Sequence, residues 1–243
     1  MSDVMRALLR AGGNLFDSRI LALLLLPVLG SFVLWLILTW VFWEAWTGFV
    51  SGMLRSTAVA GWLQSWSVVW IIDYTAVLAV LIAVVPAMLV TALVITEIVA
   101  MPVIVRFVAD GYYPGLGHAF GGSVAGSVLN ATVAIVIFAL LWVVTLPLWL
   151  TGFGAVLAPL LNSAWLNQRL FRYDALADHA SREEFADFVR TSRGELFALG
   201  VLLSLLLYVP VLNLAVPVLS GLAFTHFGLA RLAALRQSKI PLI

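Results

Sequence analysis

The chain has 243 residues, of which 63% are hydrophobic and only 10% are charged. Soluble globular domains carry about 25% charged residues, so this composition excludes a soluble protein and indicates an integral membrane protein whose partner is the lipid bilayer. The net charge of +1 gives no support to nucleic-acid binding. We therefore expect a single integral membrane domain over residues 1–243.

The residue types that carry most enzyme chemistry are scarce. The absence of cysteine excludes disulfides and thiol chemistry, and the three histidines lie far apart in sequence. The glycine-rich stretch 118–126 lacks the lysine and the preceding strand of a phosphate-binding loop, so we expect Gly122 and Gly126 to serve close helix packing. No nucleophile, base and acid have the spacing of a catalytic site, and His226 is interpreted as a packed or interfacial histidine. We predict no enzyme activity, no metal and no cofactor.

The N-terminal region predicts a surface helix followed by a span. Residues 1–19 combine apolar positions with Arg6, Arg10 and Arg19, a pattern typical of a helix that lies on the membrane surface. The charge-free run at 20–43, of about 24 residues, is long enough to cross a hydrocarbon core of ~30 Å. We predict that it is a transmembrane helix.

A tryptophan-rich loop and a second span follow. Residues 44–67 lie among six tryptophans, which indicate a membrane interface because the ring is apolar while the indole N–H seeks water. The apolar run at 68–95 predicts a longer transmembrane helix, which Pro86 is expected to tilt or kink. Asp73 is interpreted as an interfacial acid, with a functional role as the alternative.

Two further apolar runs, 128–166 and 195–230, are broken by proline and glycine instead of charge. Each predicts a helical hairpin, and the shorter arms, of about 12 to 16 residues, rise only about 18 to 24 Å, too little to cross the bilayer. Irregular backbone inside a bilayer is tolerated only beside protein or water, so the paired breaks favour an internal site or pathway. Two helix pairs with tight loops and no pathway are the alternative.

The segment 167–194 lies between the hairpins and holds five arginines and five acidic residues. Ser181 and Glu184 have the spacing of a capping box, which predicts a short amphipathic helix after them. We expect this segment to be cytoplasmic. With a cytoplasmic N-terminus, Arg55 is the only basic residue of the 13 that lies outside, so the positive-inside rule predicts that both termini are cytoplasmic.

The breaks of the two hairpins resemble those of the CysZ sulfate-permease family, within the wider etoposide-induced-protein superfamily. The resemblance rests on Gly152-Phe153-Gly154, Ala158-Pro159, Ser163-Ala164-Trp165, Val209-Pro210-Val211-Leu212-Asn213-Leu214 with Pro217, and Ala100-Met101-Pro102. It implies an all-α inner-membrane protein of bacteria with two long transmembrane helices and two partly inserted helical hairpins. It also implies homo-oligomeric assembly and sulfate uptake for cysteine synthesis.

Arg19 and Arg106 are the candidate anion-binding residues. Where the resembling family has a glycine followed shortly by two arginines, this chain has Phe16-Asp17-Ser18-Arg19. A guanidinium fork and a helix N-terminus both favour sulfate, but one arginine beside an acid needs a second positive group, and Arg106 is the candidate. The competing hypothesis is a non-transporting multi-pass membrane protein with a structural or partner-binding role, which the scarcity of polar residues in the spans favours.

Overall fold

The computed structural model describes residues 2–57, 60–62 and 68–238. The regular structure in these ranges is helical, which confirms the predicted all-α class. The helices are α1 (Ser2–Asn14), α2 (Ser18–Arg55), α3 (Trp70–Tyr112), α4 (Val124–Thr145), α5 (Phe153–Leu176), α6 (Arg182–Thr191), α7 (Arg193–Leu205), α8 (Pro210–Asn213) and α9 (Val216–Ser238), with 3₁₀ turns at Leu146–Thr151 and Leu206–Tyr208.

Four segments of the described chain are long and apolar enough to cross a membrane: Ser18–Arg55, Trp70–Met88, Ala125–Thr151 and Val216–Ser238. The first two correspond to the predicted spans, and the others each belong to one predicted hairpin. Protein atoms bury 67% of the last segment but only 6% to 17% of the other three. Helix α9 is therefore an interior helix, whereas the other three segments present their apolar side chains outward.

The chain divides into two compact units, one of Leu25–Ile95 and the other of Met1–Leu24 with Thr96–Ile243. In the first unit, Trp35 Nε1 on α2 donates a hydrogen bond to Thr91 Oγ1 on α3 at 2.9 Å. The single membrane domain expected from composition stays a prediction.

An ion pair lies at the other end of the same helix pair. Arg55 Nη2 lies 2.8 Å from Asp73 Oδ1, and both side chains are more than half exposed. Such an exposed pair contributes about 0 to 1 kcal/mol. Asp73 is thus neutralised where α2 ends and α3 begins.

The predicted loop at 44–67 begins too early, because α2 continues to Arg55. Glu44 ends the charge-free run but does not end the helix. Hydroxyl groups inside this stretch bond back within the helix, as Thr47 Oγ1 does to the Trp43 carbonyl at 2.7 Å. Residues 58–59 and 63–67, including Trp66, lie outside the described residues.

The first hairpin turns at Gly152, whose φ of 71° lies in the left-handed region that favours glycine. Gly154 follows and approaches the Leu148 carbonyl so closely that a Cβ would collide with it. Asn162 Nδ2 then ties α5 to α4 by donating to Thr145 Oγ1 at 3.1 Å. The predicted glycine break is confirmed.

The second arm of this hairpin is longer than predicted. The sequence placed its end at Leu166, but α5 continues to Leu176, and its 24 residues rise about 36 Å. Charged residues such as Arg169 and Arg172 end the apolar run without ending the helix. The predicted segment 167–194 is therefore the last turns of α5 followed by α6.

Helix α6 begins as predicted. Ser181 Oγ accepts a hydrogen bond from the Glu184 backbone N–H at 3.2 Å, and Glu184 Oε2 accepts one from the Ser181 N–H at 2.9 Å. This reciprocal pair is the capping box. Arg236 on α9 also holds Glu184, through Nε at 2.8 Å and Nη2 at 3.0 Å, and so joins α6 to α9.

The glycine-rich stretch packs closely against the end of α5, although only Gly126 does so from within a helix, because Gly122 precedes α4. A Cβ on Gly122 would lie 2.6 Å from the Ala177 Cβ, and Gly126 lies against the Tyr173 hydroxyl. The Gly122 N–H donates to the Ala177 carbonyl at 2.8 Å. The absence of side chains here lets two stretches of backbone come into contact.

The core of the second unit surrounds α9 and draws on α1, the end of α3, α5, α6 and α7. Its largest fully buried side chains include Ile104, Phe188, Leu199, Phe224 and Phe227. Small residues allow the closest approaches, since Gly221 of α9 lies against Met101 and Ile104 of α3. Helices α5 and α7 come closer still, where Gly200 lies against the backbone of Ala164.

We expect Gly200→Ala to lower the free energy of unfolding by about 1 to 3 kcal/mol, because the new methyl group overpacks a backbone contact. Its Cβ would lie 2.5 Å from the Ala164 carbonyl oxygen. Gly194→Ala in the same helix is the matched control, since nothing lies within 4 Å of its Cβ position, and it should change stability by less than about 1 kcal/mol. Denaturation of both variants in detergent measures the difference. Equal stabilities would contradict this packing.

Candidate polar site around His226

Helix α9 carries buried polar groups although it is apolar enough to span a membrane. Ser220, Thr225 and His226 are each at most 1% exposed. Ser220 Oγ, Thr225 Oγ1 and His226 Nδ1 have no hydrogen-bond partner among the described residues. Burying such groups is costly, and polar residues inside a membrane segment are functional candidates by default.

His226 is held by a side chain from each of two other helices. Asn14 of α1 donates from Nδ2 to His226 Nε2 at 2.9 Å, while its Oδ1 accepts a hydrogen bond from the Tyr112 hydroxyl at 2.7 Å. The Tyr112 ring meets the imidazole edge-on, with 4.7 Å between centroids. With Asn14 Nδ2 as the donor, Nε2 is the acceptor and the imidazole proton lies on Nδ1, which has no partner among the described residues. The interpretation of His226 as a packed histidine is confirmed.

Arg10 supplies positive charge beside this network. Its guanidinium carbon lies 5.6 Å from the centre of the Tyr112 ring, and Nη1 donates to the Tyr113 hydroxyl at 3.3 Å. Arg10 makes no ion pair with any described residue, so no carboxylate compensates its charge. Burial raises the pKa of Tyr113 above its usual value, although Arg10 opposes this shift. The phenol therefore stays neutral and can donate a hydrogen bond.

Arg19, one of the two predicted anion-binding residues, lies in the first turn of α2 and is exposed. Its backbone N–H donates to Asp17 Oδ1 at 2.9 Å, and the Asp17 carbonyl accepts the N–H of Leu21 at 2.8 Å. These two bonds make Asp17 the N-cap of α2. The carboxylate of Asp17 thus occupies the position at the helix N-terminus where an anion would bind.

Arg106, the other predicted residue, is an exposed side chain on α3. Neither Arg19 nor Arg106 forms an ion pair or a side-chain hydrogen bond with the part of the chain that the structure describes. No described contact brings the two together. Both therefore remain separate, uncompensated charges.

The sequence did not reveal the residues that surround His226. The sequence places Arg10 only on a surface helix and does not single out Tyr112 or Tyr113. Asn14 is 212 residues from His226 and 98 from Tyr112, so no local pattern connects them. The one available signal was the histidine itself, an ionisable residue in an apolar run.

Apolar helices of spanning length, with buried polar groups in an interior helix, define a multi-pass helical membrane protein. Its residues 7–217 match the family model described as "Sulfate transporter CysZ/Etoposide-induced protein 2.4". The chain belongs to this family, which confirms the resemblance found in the sequence. Comparison with curated proteins and comparison with solved structures each gave no match.

We expect Asn14→Ala to lower the free energy of unfolding by about 1 to 3 kcal/mol, because it leaves His226 Nε2 buried without a partner. Tyr112→Phe removes a single hydrogen bond and should cost about 1 kcal/mol. Asn213→Ala, at an exposed asparagine of α8, is the control and should be close to neutral. Denaturation in detergent compares the three variants. If Asn14→Ala is no less stable than Asn213→Ala, the network does not hold α1 to α9.

Proposed function

We propose that this protein transports sulfate or a related small anion across the bacterial inner membrane and supports sulfate uptake for cysteine synthesis. One observation carries the proposal, the family match over residues 7–217. The match extends from the middle of α1 into the beginning of α9, so it includes nearly every helix described above. Because the description of this family names a transporter, we also propose that the protein has no enzymatic activity.

The charges of the described residues support an anion as the cargo. Arg10, Arg19 and Arg106 have no carboxylate partner among those residues. A sulfate ion needs positive charge and several hydrogen-bond donors, and guanidinium groups supply both. We keep Arg19 and Arg106 as the proposed anion-binding residues and add Arg10, which lies next to the polar groups around His226.

We propose a topology in which both termini are cytoplasmic and the two hairpins enter the bilayer only in part. The positive-inside rule supports this orientation. The breaks at Gly152 and at 209–213 support partial insertion, because irregular backbone at membrane depth requires surrounding protein or water. Assembly into a homo-oligomer would supply such surroundings, and we propose it too.

A structural or partner-binding role without transport is the second candidate. The capping of α2 by Asp17 favours it, because this carboxylate fills the place of an anion and repels one nearby. The two candidates differ in whether the protein binds sulfate at all.

Sulfate titration of the purified protein and two variants tests the proposed site. If Arg19 contacts the anion, Arg19→Ala should weaken binding about 10- to 150-fold, since a charge-assisted contact contributes about 1.5 to 3 kcal/mol. Asp17→Asn should strengthen binding because it removes the repelling charge. Arg190→Ala is the control, since Arg190 already pairs with Asp187 at 2.8 Å.

Three identical curves for the wild type, Arg19→Ala and Asp17→Asn would exclude Arg19 as the site. An absence of binding in the wild type would favour the structural role.

A further inference from the structure

Helices α5 and α7 run antiparallel, and two contacts fix their register. Gly200 lies against Ala164, and the Tyr208 hydroxyl, just beyond α7, donates to the Val156 carbonyl at 3.1 Å. From one contact to the next, the chain moves eight residues on each side, from 156 to 164 and from 208 to 200. Eight residues further along α5 from Ala164 is Arg172, and eight residues back from Gly200 is Ser192. The register therefore places Arg172 opposite Ser192, beside Arg193.

The register thus brings three arginines to the same end of the helix pair, and none of them pairs with a carboxylate of the described residues. Arg169 and Arg172 lie one turn apart on α5, and Arg193 begins α7. None of them forms an ion pair with a residue that the structure describes. Burial, together with the charges of Arg169 and Arg193, lowers the pKa of Arg172 to about 10. The charges of Arg169 and Arg193 thus both act on Arg172.

The two arginines of α5 are partly buried and held in place by neutral groups. Arg172 Nη1 donates to Gln168 Oε1 at 2.9 Å, and the Arg169 guanidinium lies 5.5 Å from the centre of the Trp165 ring. The Nε of Arg169 is buried and has no hydrogen-bond partner among the described residues. A donor group fixed in place and left unsatisfied is suited to binding an acceptor from outside the chain.

The beginning of α7 adds a further positive potential to the same place. The Ser192 side chain does not cap this helix of 13 residues, so the first backbone N–H groups have no side-chain oxygen of Ser192 as an acceptor. Nothing lies within 4 Å of a Cβ at Gly194, which leaves open space beside these N–H groups. An anion can therefore approach both the helix end and Arg193.

Other arginines of the same unit show how the chain neutralises charge elsewhere. Arg190 pairs with Asp187, Arg231 with Glu195, and Arg236 with Glu184. The cluster of Arg169, Arg172 and Arg193 differs because none of its charges pairs with a carboxylate of the described residues and two of the three are partly buried. Like charges in such a place destabilise the fold unless an anion offsets them.

We propose that Arg169, Arg172 and Arg193 form a binding site for a tetrahedral oxyanion, supplied either by the phosphodiester of an anionic lipid or by an inorganic ion. Planar guanidinium groups match the oxygens of such an anion with paired hydrogen bonds. The site stands whether or not the protein transports sulfate, because its ligand is bound at the ends of α5 and α7 and not at Arg19.

Thermal unfolding in lipid nanodiscs tests the site. One comparison is between discs of phosphatidylcholine and discs that also contain phosphatidylglycerol. In a second experiment, inorganic phosphate is titrated into the phosphatidylcholine discs, with chloride at equal ionic strength as the control. We expect one or both anions to raise the unfolding temperature of the wild type. Arg172→Gln and Arg193→Gln should weaken the apparent affinity about tenfold or more, whereas Arg190→Gln, an equal change of charge at a paired arginine, should respond like the wild type.

The two sources give different results. A response to phosphate in phosphatidylcholine discs identifies a site for a free ion, and a response to phosphatidylglycerol alone identifies a lipid site. Without an added anion, Arg193→Gln should unfold at a higher temperature than the wild type, because it removes like-charge repulsion. Arg193 is exposed, so this variant keeps the test decisive if Arg172→Gln does not fold.

The proposal is overturned if no anion stabilises the wild type. It is also overturned if Arg172→Gln and Arg193→Gln, the two variants of the cluster, both respond as Arg190→Gln does. A third result would overturn it too. If Arg19→Ala no longer gains unfolding temperature with phosphate while the two cluster variants still do, the anion is bound at Arg19. If Arg19→Ala loses sulfate transport but is still stabilised by the anion, only the proposed function is affected.

Discussion

The backbone contact between Gly200 of α7 and Ala164 of α5 is the constraint on which the larger unit depends. A carbonyl oxygen occupies the place of a side chain there, so the two helices can neither slide nor separate without losing the fit. Together with the hydrogen bond from Tyr208 to the Val156 carbonyl, the contact fixes the antiparallel register, and this register places Arg172 beside Arg193. It also lets α5 and α7 form, with α1 and the end of α3, a shell around α9.

Enclosure changes what α9 can carry. A helix that faces lipid must be apolar on every exposed side, but one that is surrounded by protein can hold a histidine, a serine and a threonine. From outside α9, Asn14 bonds to the imidazole, the Tyr112 ring packs against it, and the Tyr113 hydroxyl donates to the His226 carbonyl at 3.5 Å. The protein thus maintains polar groups in an interior helix at an energetic cost.

The fold class was predictable from the sequence because glycine, proline and caps act locally. Gly152 has the positive φ that its turn requires, and Ser181 and Glu184 form the capping box that their spacing indicates. The ends of α2 and α5 were not predictable from hydropathy. A charge such as Glu44 or Arg169 marks where an apolar run ends, whereas a helix ends where its backbone loses partners.

The candidate site was less accessible to sequence reasoning. The capping of α2 by Asp17 is a local interaction, and the acid two residues before Arg19 was its visible sign. The partners of His226 and the arginine cluster depend on contacts between distant helices, which a single sequence does not specify. The family, by contrast, was evident from the breaks of the two hairpins and is now established over residues 7–217.

Uptake of radiolabelled sulfate by liposomes that contain the purified protein tests the central claim most directly. We predict protein-dependent uptake that saturates with sulfate and is suppressed by unlabelled sulfate but not by an equal concentration of chloride. Uptake no faster than that of protein-free liposomes, from a preparation that retains its folded thermal transition, would contradict the assignment of this protein as a sulfate transporter.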